Sequence, residues 1–279
     1  MAVLLEKTFS YIFNSDPISG AQQLSSDGSS FTVTLNTPIS IPKSAVDATA
    51  GVLQASIWNT SPNISPQFNN NVFTFTTTQA PAGTYSLNIP SGLYSIEGLN
   101  TYFSSQFVNL GFSSNLISIG GDFATQTSIL TFEFMGDSVN FTIPNSVRTV
   151  LGFNSQILTS PSDNFSFYSE NTAAFNRNNS YVIASNLVSQ GIPVNNQSAG
   201  IITTVPIDKP PGSQIVYQPQ NVIWFDICEL IGNSKLNMTF RLLNQDLMAT
   251  PTSGDYWSFV ILIKYDILLS TSVLPLKPY

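Results

Sequence analysis

The side chains able to do chemistry are few. The chain holds 16 Asp and Glu, 9 Lys and Arg, a single cysteine and no histidine. Without histidine it lacks the usual general base, the commonest zinc ligand and the near-neutral pH switch. Cys228 has no imidazole to activate it, which excludes a papain-like dyad. It falls in an apolar run predicted to be a strand, so an inert buried thiol is expected there. Asp226 and Glu229 are close in sequence, but three apart on a strand they face opposite sides. Glu133 and Asp137 share one predicted hairpin, with Asp137 at its tip as a turn residue. Gly120-Gly121-Asp122 is a turn signal without the lysine that a phosphate loop requires. Asp163 and Glu170 lie in one Asn-rich segment, fewer carboxylates than a calcium loop uses. The sequence therefore predicts no catalytic, cofactor-binding or metal-binding residues, and no enzyme.

Composition narrows the partners. Charged residues make up 9% of the 279 residues, against about 25% in an average soluble domain. Ser, Thr, Asn and Gln stand in their place. The net charge is −7, so the basic footprint of a nucleic-acid binder is missing. The apolar start, Met1 to Leu5, is stopped by Glu6 and Lys7, short of a signal-peptide core. Apolar runs such as Phe259 to Ile263 fall far short of a membrane span. One cysteine allows no intrachain disulfide. A soluble protein made in a reducing compartment is expected. The triplets at Asn59, Asn63, Asn140, Asn164, Asn178, Asn196 and Asn237 fit glycosylation acceptors, but a chain this rich in Asn, Ser and Thr produces them by chance.

The elements that must position these residues are mostly strands. Alternation of apolar and polar residues runs through Phe31 to Leu35, Val52 to Trp58, Val72 to Thr76 and Tyr85 to Ile89. Ser128 to Met135 and Ser138 to Ile143 flank Gly136-Asp137, which suits a two-residue type II′ hairpin. Later strands are predicted at Tyr181 to Val188, Ile201 to Val205, Val222 to Cys228, Leu236 to Leu243 and Tyr256 to Ile267, the last as a central strand. Helix is scarce. Ser95 can cap a helix carrying Ile96, Leu99, Tyr102, Phe103, Phe107 and Leu110, with Gly111 ending it. A shorter helix is predicted from Asn145 or Ser146 to Leu151, followed by Gly152. Short strands, turn residues between them and two short helices give an all-β sandwich of packed antiparallel sheets. Most phenylalanines fall on inward faces; Trp257, Tyr279 and the cluster Phe165, Phe167 and Tyr168 are the candidates for an exposed stacking surface.

A surface this poor in charge suits contact with neighbouring subunits, because neutral hydroxyls and amides are cheaper to desolvate than charges. The organisation expected is an N-terminal arm over 1–30, one domain over 31–269 and a C-terminal tail over 270–279. Within the domain, 91–155 either caps one end of the sandwich or forms an inserted subdomain. The tail, STSVLPLKPY, is expected to dock on neighbouring subunits through Leu274, Leu276 and Tyr279.

Five segments in order resemble the minor capsid, or penton, proteins of virophages and polinton-like viruses. The first is 37 to 76, with Pro38-Ile39, Trp58-Asn59, Pro62-Asn63-Ile64 and Asn71 before Val72-Phe73. The second is IPSGLYSIEGLNTYF, 89 to 103, and the third NFTIPNSVRTVLGF, 140 to 153, with Leu151-Gly152-Phe153. PPGSQIVYQPQNVIWFDI, 210 to 227, and FRLLNQDLMATPTSGDYWSFVILIKY, 240 to 265, complete the series. The resemblance implies a single jelly roll of two four-stranded sheets, five copies of which close an icosahedral vertex. It implies a double jelly-roll major capsid protein as partner, no cofactor, no reaction, assembly in the host cytoplasm and a place in the virion. Vertices also touch the host, so a glycan-binding or host-attachment module at the virion surface is the alternative expectation.

Overall fold

The computed structural model describes residues 2–176, 178–189, 191–194, 197–198 and 200–270. The chain begins with three long strands, β1 (Ala2–Asn14), β2 (Ser30–Ser40) and β3 (Ala45–Trp58). It continues through β4 (Val72–Thr77), β5 (Gly83–Asn88), α1 (Ile96–Asn109), β6 (Ile117–Asp122) and β7 (Thr127–Phe132). Next come β8 (Ser138–Asn140), α2 (Arg148–Leu151), β9 (Ile157–Thr159) and β10 (Phe165–Tyr168). The closing strands are β11 (Ser180–Ser185), β12 (Ile201–Pro206), β13 (Gln214–Tyr217), β14 (Ser234–Asn244) and β15 (Ser258–Ser270). Two compact units result. Unit one is Met1–Thr60 with Asn178–Tyr279, and unit two is Ser61–Arg177. The single domain expected over 31–269 is therefore divided, and the second unit starts and ends outside the expected bounds of 91–155.

In unit one the pairing is nested. β1 pairs β15, β2 pairs β14, β3 pairs β13 and β11 pairs β12, all antiparallel. Thus, counting only the eight long strands of this unit, first pairs with last, second with second-last, and so on inward. Two further pairings, β15 with β3 and β14 with β11, join these ribbons into the sheets β1–β15–β3–β13 and β12–β11–β14–β2. A long hairpin rolled into two four-stranded sheets is a jelly roll. Short strands add to both: Ala21–Gln23 beside β2, and Phe225–Asp226 beside β3.

The core of unit one is aromatic. Phe13 and Phe240 have ring centroids 4.5 Å apart, and Phe31 meets Trp257 edge-on at 5.0 Å. The indole N–H of Trp257 donates to the Gly28 carbonyl at 3.1 Å. Gly28 has φ +74°, and a Cβ there would fall 2.3 Å from Thr252 Oγ1, so that turn requires glycine. β15 is central, as its apolar composition predicts.

Two expectations about unit one need correction. Residues 2–14 are not an arm but a strand paired with β15 along its full length. Alternation of Phe9, Tyr11 and Phe13 places all three against the core, and that burial fixes the register. The predicted strand Val222 to Cys228 contracts to Phe225–Asp226, because Cys228–Leu230 turns as a 3-10 helix. Leu274, Leu276 and Tyr279 lie outside the described residues.

In unit two, β9–β8–β4–β5 form one sheet and β10–β7–β6 another. Helix α1 buries Leu99, Phe103 and Phe107. Phe103 stacks on Phe73 at 4.4 Å and Phe107 meets Phe75 edge-on at 5.1 Å. Ser95 Oγ accepts from the Gly98 amide at 3.1 Å, the expected cap. The second helix begins later than expected, at Arg148, and no side chain caps it.

The predicted Gly136-Asp137 hairpin does not form. Its first arm contributes β7, paired with β6 and β10; its second contributes β8, paired with β4 and β9. Asp137 explains the failure. It is fully buried and accepts from the Thr78 amide at 2.8 Å and from the Thr77 and Thr78 hydroxyls at 3.1 Å. Satisfying a buried carboxylate with three donors outweighs a local turn preference.

Candidate functional site

None of the acid pairs singled out in the sequence is assembled for chemistry. Asp226 Oδ1 accepts from the Cys228 amide at 2.7 Å. Hydrogen bonds from the Cys228 side chain and amide hold this carboxyl below the usual range. Glu229 lies in the adjoining 3-10 turn, where its carbonyl accepts from Asn233 Nδ2 at 2.8 Å. Asp163 Oδ1 accepts from the Met135 amide at 2.7 Å, and Glu170 accepts from the Asn154 amide at 3.0 Å and from Gln156 Nε2. Burial alone would raise Glu170, but those hydrogen bonds bring it below the ordinary value. Among the described residues no group of three His, Cys, Asp or Glu side chains could hold a metal ion. No helix among them is long and apolar enough to cross a membrane.

Cys228 is half-buried, with Sγ 3.5 Å from Asp47 Oδ1 and 3.7 Å from the Ala48 carbonyl. Its hydrogen bond to Asp226 and then burial push the thiol up to about 11, so it stays protonated near neutrality and is a poor nucleophile. Trp257 is core, 1% exposed. Phe165 and Phe167 meet edge-on at 5.0 Å, Phe167 packs on Phe132 at 5.8 Å, and Tyr168 is exposed.

What the fold does assemble is a surface on unit one. β1 is an edge of its sheet, and among the described residues nothing pairs with its far side. Thirteen residues of unpaired edge, without a proline and with only Glu6 and Lys7 charged, form a template for another chain. Phe9, Tyr11 and Phe13 point inward, so Glu6, Thr8, Ser10 and Ile12 point outward. The outer face of the sheet is graded along the strands. At one end Ile12, 77% exposed, lies opposite Val260, which lies opposite Gln54; exposed Leu53, Trp58 and Val216 continue this neutral end.

At the other end Glu6 lies opposite Asp266, and Asp266 lies opposite Asp47. Three carboxylates thus stand in one row across three strands, although like charges directly opposite are destabilising. In the next row Lys264 reaches Glu6 at 3.6 Å and sits over the Trp224 ring, 4.4 Å from its centroid. Together with Thr49 these residues line an open groove of about 300 Å³. Sequence reasoning passed over this row. Each member alternates correctly with its inward neighbours, but only the register of strands more than 200 residues apart places the three side by side.

The arrangement presents no activated nucleophile and no acid–base pair. It can pair a strand along β1, cover a neutral face and attract a cation.

No protein family matches the chain, and no curated protein sequence matches it. Among solved structures, it is similar to the mavirus penton protein at 11% sequence identity and a TM-score of 0.48, over 95% of this chain and 99% of that one. The strand order of unit one, and not this likeness, defines the jelly roll.

Proposed function

We propose that the chain is a structural penton protein: a homopentamer that closes the five-fold vertices of an icosahedral capsid, contacts a double jelly-roll major capsid protein and catalyses no reaction. The observation that carries this reading is the long unpaired edge of β1 beside the neutral end of its sheet's outer face. Monomeric β proteins blunt such an edge with charge, proline, a bulge or a covering element. β1 carries none of these over its C-terminal half, Thr8 to Asn14, so a subunit contact that covers it is the economical solution. A closed ring satisfies a head-to-tail contact without leaving an open end. The ordered segments resembling virophage penton proteins, 37 to 76 through 240 to 265, supply the five-fold vertex and the capsid partner. On this reading the protein resides in the virion after assembly in the host cytoplasm.

The mass of the purified full chain in solution tests the reading. A pentamer that dissociates in the Ile12→Lys variant, with an unchanged circular dichroism spectrum, supports it. A monomer that binds immobilised glycans would instead support an attachment module.

A further inference from the structure

Unit two is an insertion, and its two ends need holding. The chain leaves unit one after Thr60 and re-enters it at Asn178. The first strand of unit two, β4, and its last, β10, lie in different sheets, so among the described residues no ladder joins the start of the unit to its end. Unit one holds its own side of the gap. Ser253 Oγ donates to the Thr60 carbonyl at 2.9 Å, and the Ile207 amide donates to the Asn179 carbonyl at 3.0 Å.

Within unit two a single side chain spans the gap. Asn63 is 1% exposed. Its Nδ2 donates to the Tyr94 carbonyl at 2.7 Å and to the Phe175 carbonyl at 2.9 Å, and its Oδ1 accepts from the Tyr94 amide at 2.9 Å. The entry, the lead into α1 and the exit thus meet at one carboxamide, with both of its hydrogens and its oxygen engaged. Its backbone is fixed as well: the Asn63 amide donates to the Gly92 carbonyl at 3.1 Å, and its carbonyl accepts from Asn70 Nδ2 at 2.8 Å. The exit segment has no strand of its own. The amides of Asn171, Ala173 and Ala174 donate to the carbonyls of Gly152, Gln126 and Val150 at 3.0, 2.8 and 2.8 Å, and Phe175 packs on the core of the unit. Asn63 and Tyr94 belong to two of the segments that resemble penton proteins, 37 to 76 and 89 to 103, and the fold brings them into contact.

We propose that Asn63 is a clasp that fastens the exit of unit two to its entry. With the clasp shut the unit closes on itself; releasing it frees the exit segment, Glu170 to Phe175, before either core opens. Truncating the carboxamide strands the Tyr94 amide and two carbonyls, a loss that falls at the neck of the unit and not in its core. The buried cluster from Ile64 to Leu158 contains no residue of unit one, so the jelly roll keeps its own packing when the clasp is released. The clasp does not depend on the ring proposed above.

Hydrogen exchange on the full chain, read by mass spectrometry, tests this. Asn63→Ala should speed exchange at Asn171, Ala173 and Ala174 about tenfold or more beyond any change in α1 and β4, with β14 and β15 at the parent rate. Asn70→Ala is the control. It also removes a buried carboxamide with two hydrogen bonds, but both close within residues 63–70, so the exit amides should gain no more than α1 does. Equal gains at the exit and in α1 for Asn63→Ala, no gain at all, or a matching loss of protection in β14 and β15 would each overturn the proposal. The parent chain supplies a test that needs no variant: the three exit amides should exchange at least about a hundredfold more slowly than in an unstructured peptide of the same sequence, and free exchange there would refute the clasp.

Discussion

Unit one and unit two share a residue vocabulary but cover their sheets by different means. In unit two, α1 lays Phe103 and Phe107 on Phe73 and Phe75 of β4, and Asn100 Oδ1 accepts from the Ile119 amide of β6 at 2.7 Å. A helix thus takes up sheet surface within the unit. In unit one no α-helix is present among the described residues; the two sheets cover each other's inner faces, loop residues such as Val222 and Ile223 over Gly51 cover parts of the outer faces, and the β1 edge stays unpaired. The lesson is that a sheet's unburied surface is either covered internally or left for another chain.

Removing an anchor from each unit separates their roles most strongly. Phe103→Ala empties a fully buried position in unit two and should cost about 3–5 kcal/mol. Phe240→Ala should cost a similar amount in unit one, where its ring meets Phe13, Phe31 and Phe259. Hydrogen exchange should show the largest loss of protection in α1 and β4 for the first and in β14 and β1 for the second. Loss confined to the opposite unit would contradict the assignment of the two cores.

A smaller effect is expected at Asp137. Asp137→Ala leaves the Thr77 and Thr78 donors without their acceptor, at a cost of about 2–3 kcal/mol. Denaturant unfolding measures it, and a neutral result would mean that the carboxylate does not hold β8 against β4. Smaller again, Ser95→Ala should cost about 1 kcal/mol through the lost cap.

The comparison extends to acid, where unit one has the more telling group. Burial alone would raise Asp27, but hydrogen bonds from Ser25 and Ser29 outweigh it and hold the carboxyl below its usual value. A depressed folded-state value means that the contribution is full above the unfolded value of about 4 and is lost as pH falls through the lower folded value. Asp27→Asn should therefore remove part of the acid-induced loss of stability below about pH 4 and leave the pH 5–8 range flat at a uniformly lower level. An unchanged acid limb in urea titrations would contradict this.

These contrasts also explain what could be read from the sequence. α1 was legible to its cap because every determinant, Ser95, the Leu99-Phe103-Phe107 stripe and Gly111, is local. The strands of unit one were legible singly, through alternation, but their partners were not. β1 reads as an arm until β15, more than 240 residues away, supplies its ladder. The Gly136-Asp137 hairpin fails for the same reason, since the donors for Asp137 lie at Thr77 and Thr78. The row of Glu6, Asp266 and Asp47 is further still from local sequence, because it exists only once three strands are in register. Composition pointed toward subunit contact but carried no information on which edge would make it.

The central claim is that β1 and the neutral face beside it meet further copies of the chain in a closed ring. Mass measurement of the full chain, with single-particle images of the same sample, tests it most directly. The account predicts a species of five times 30.3 kDa with five-fold symmetry, lost on Ile12→Lys. A monomer at every concentration, or a ring that survives that substitution unchanged, would contradict it.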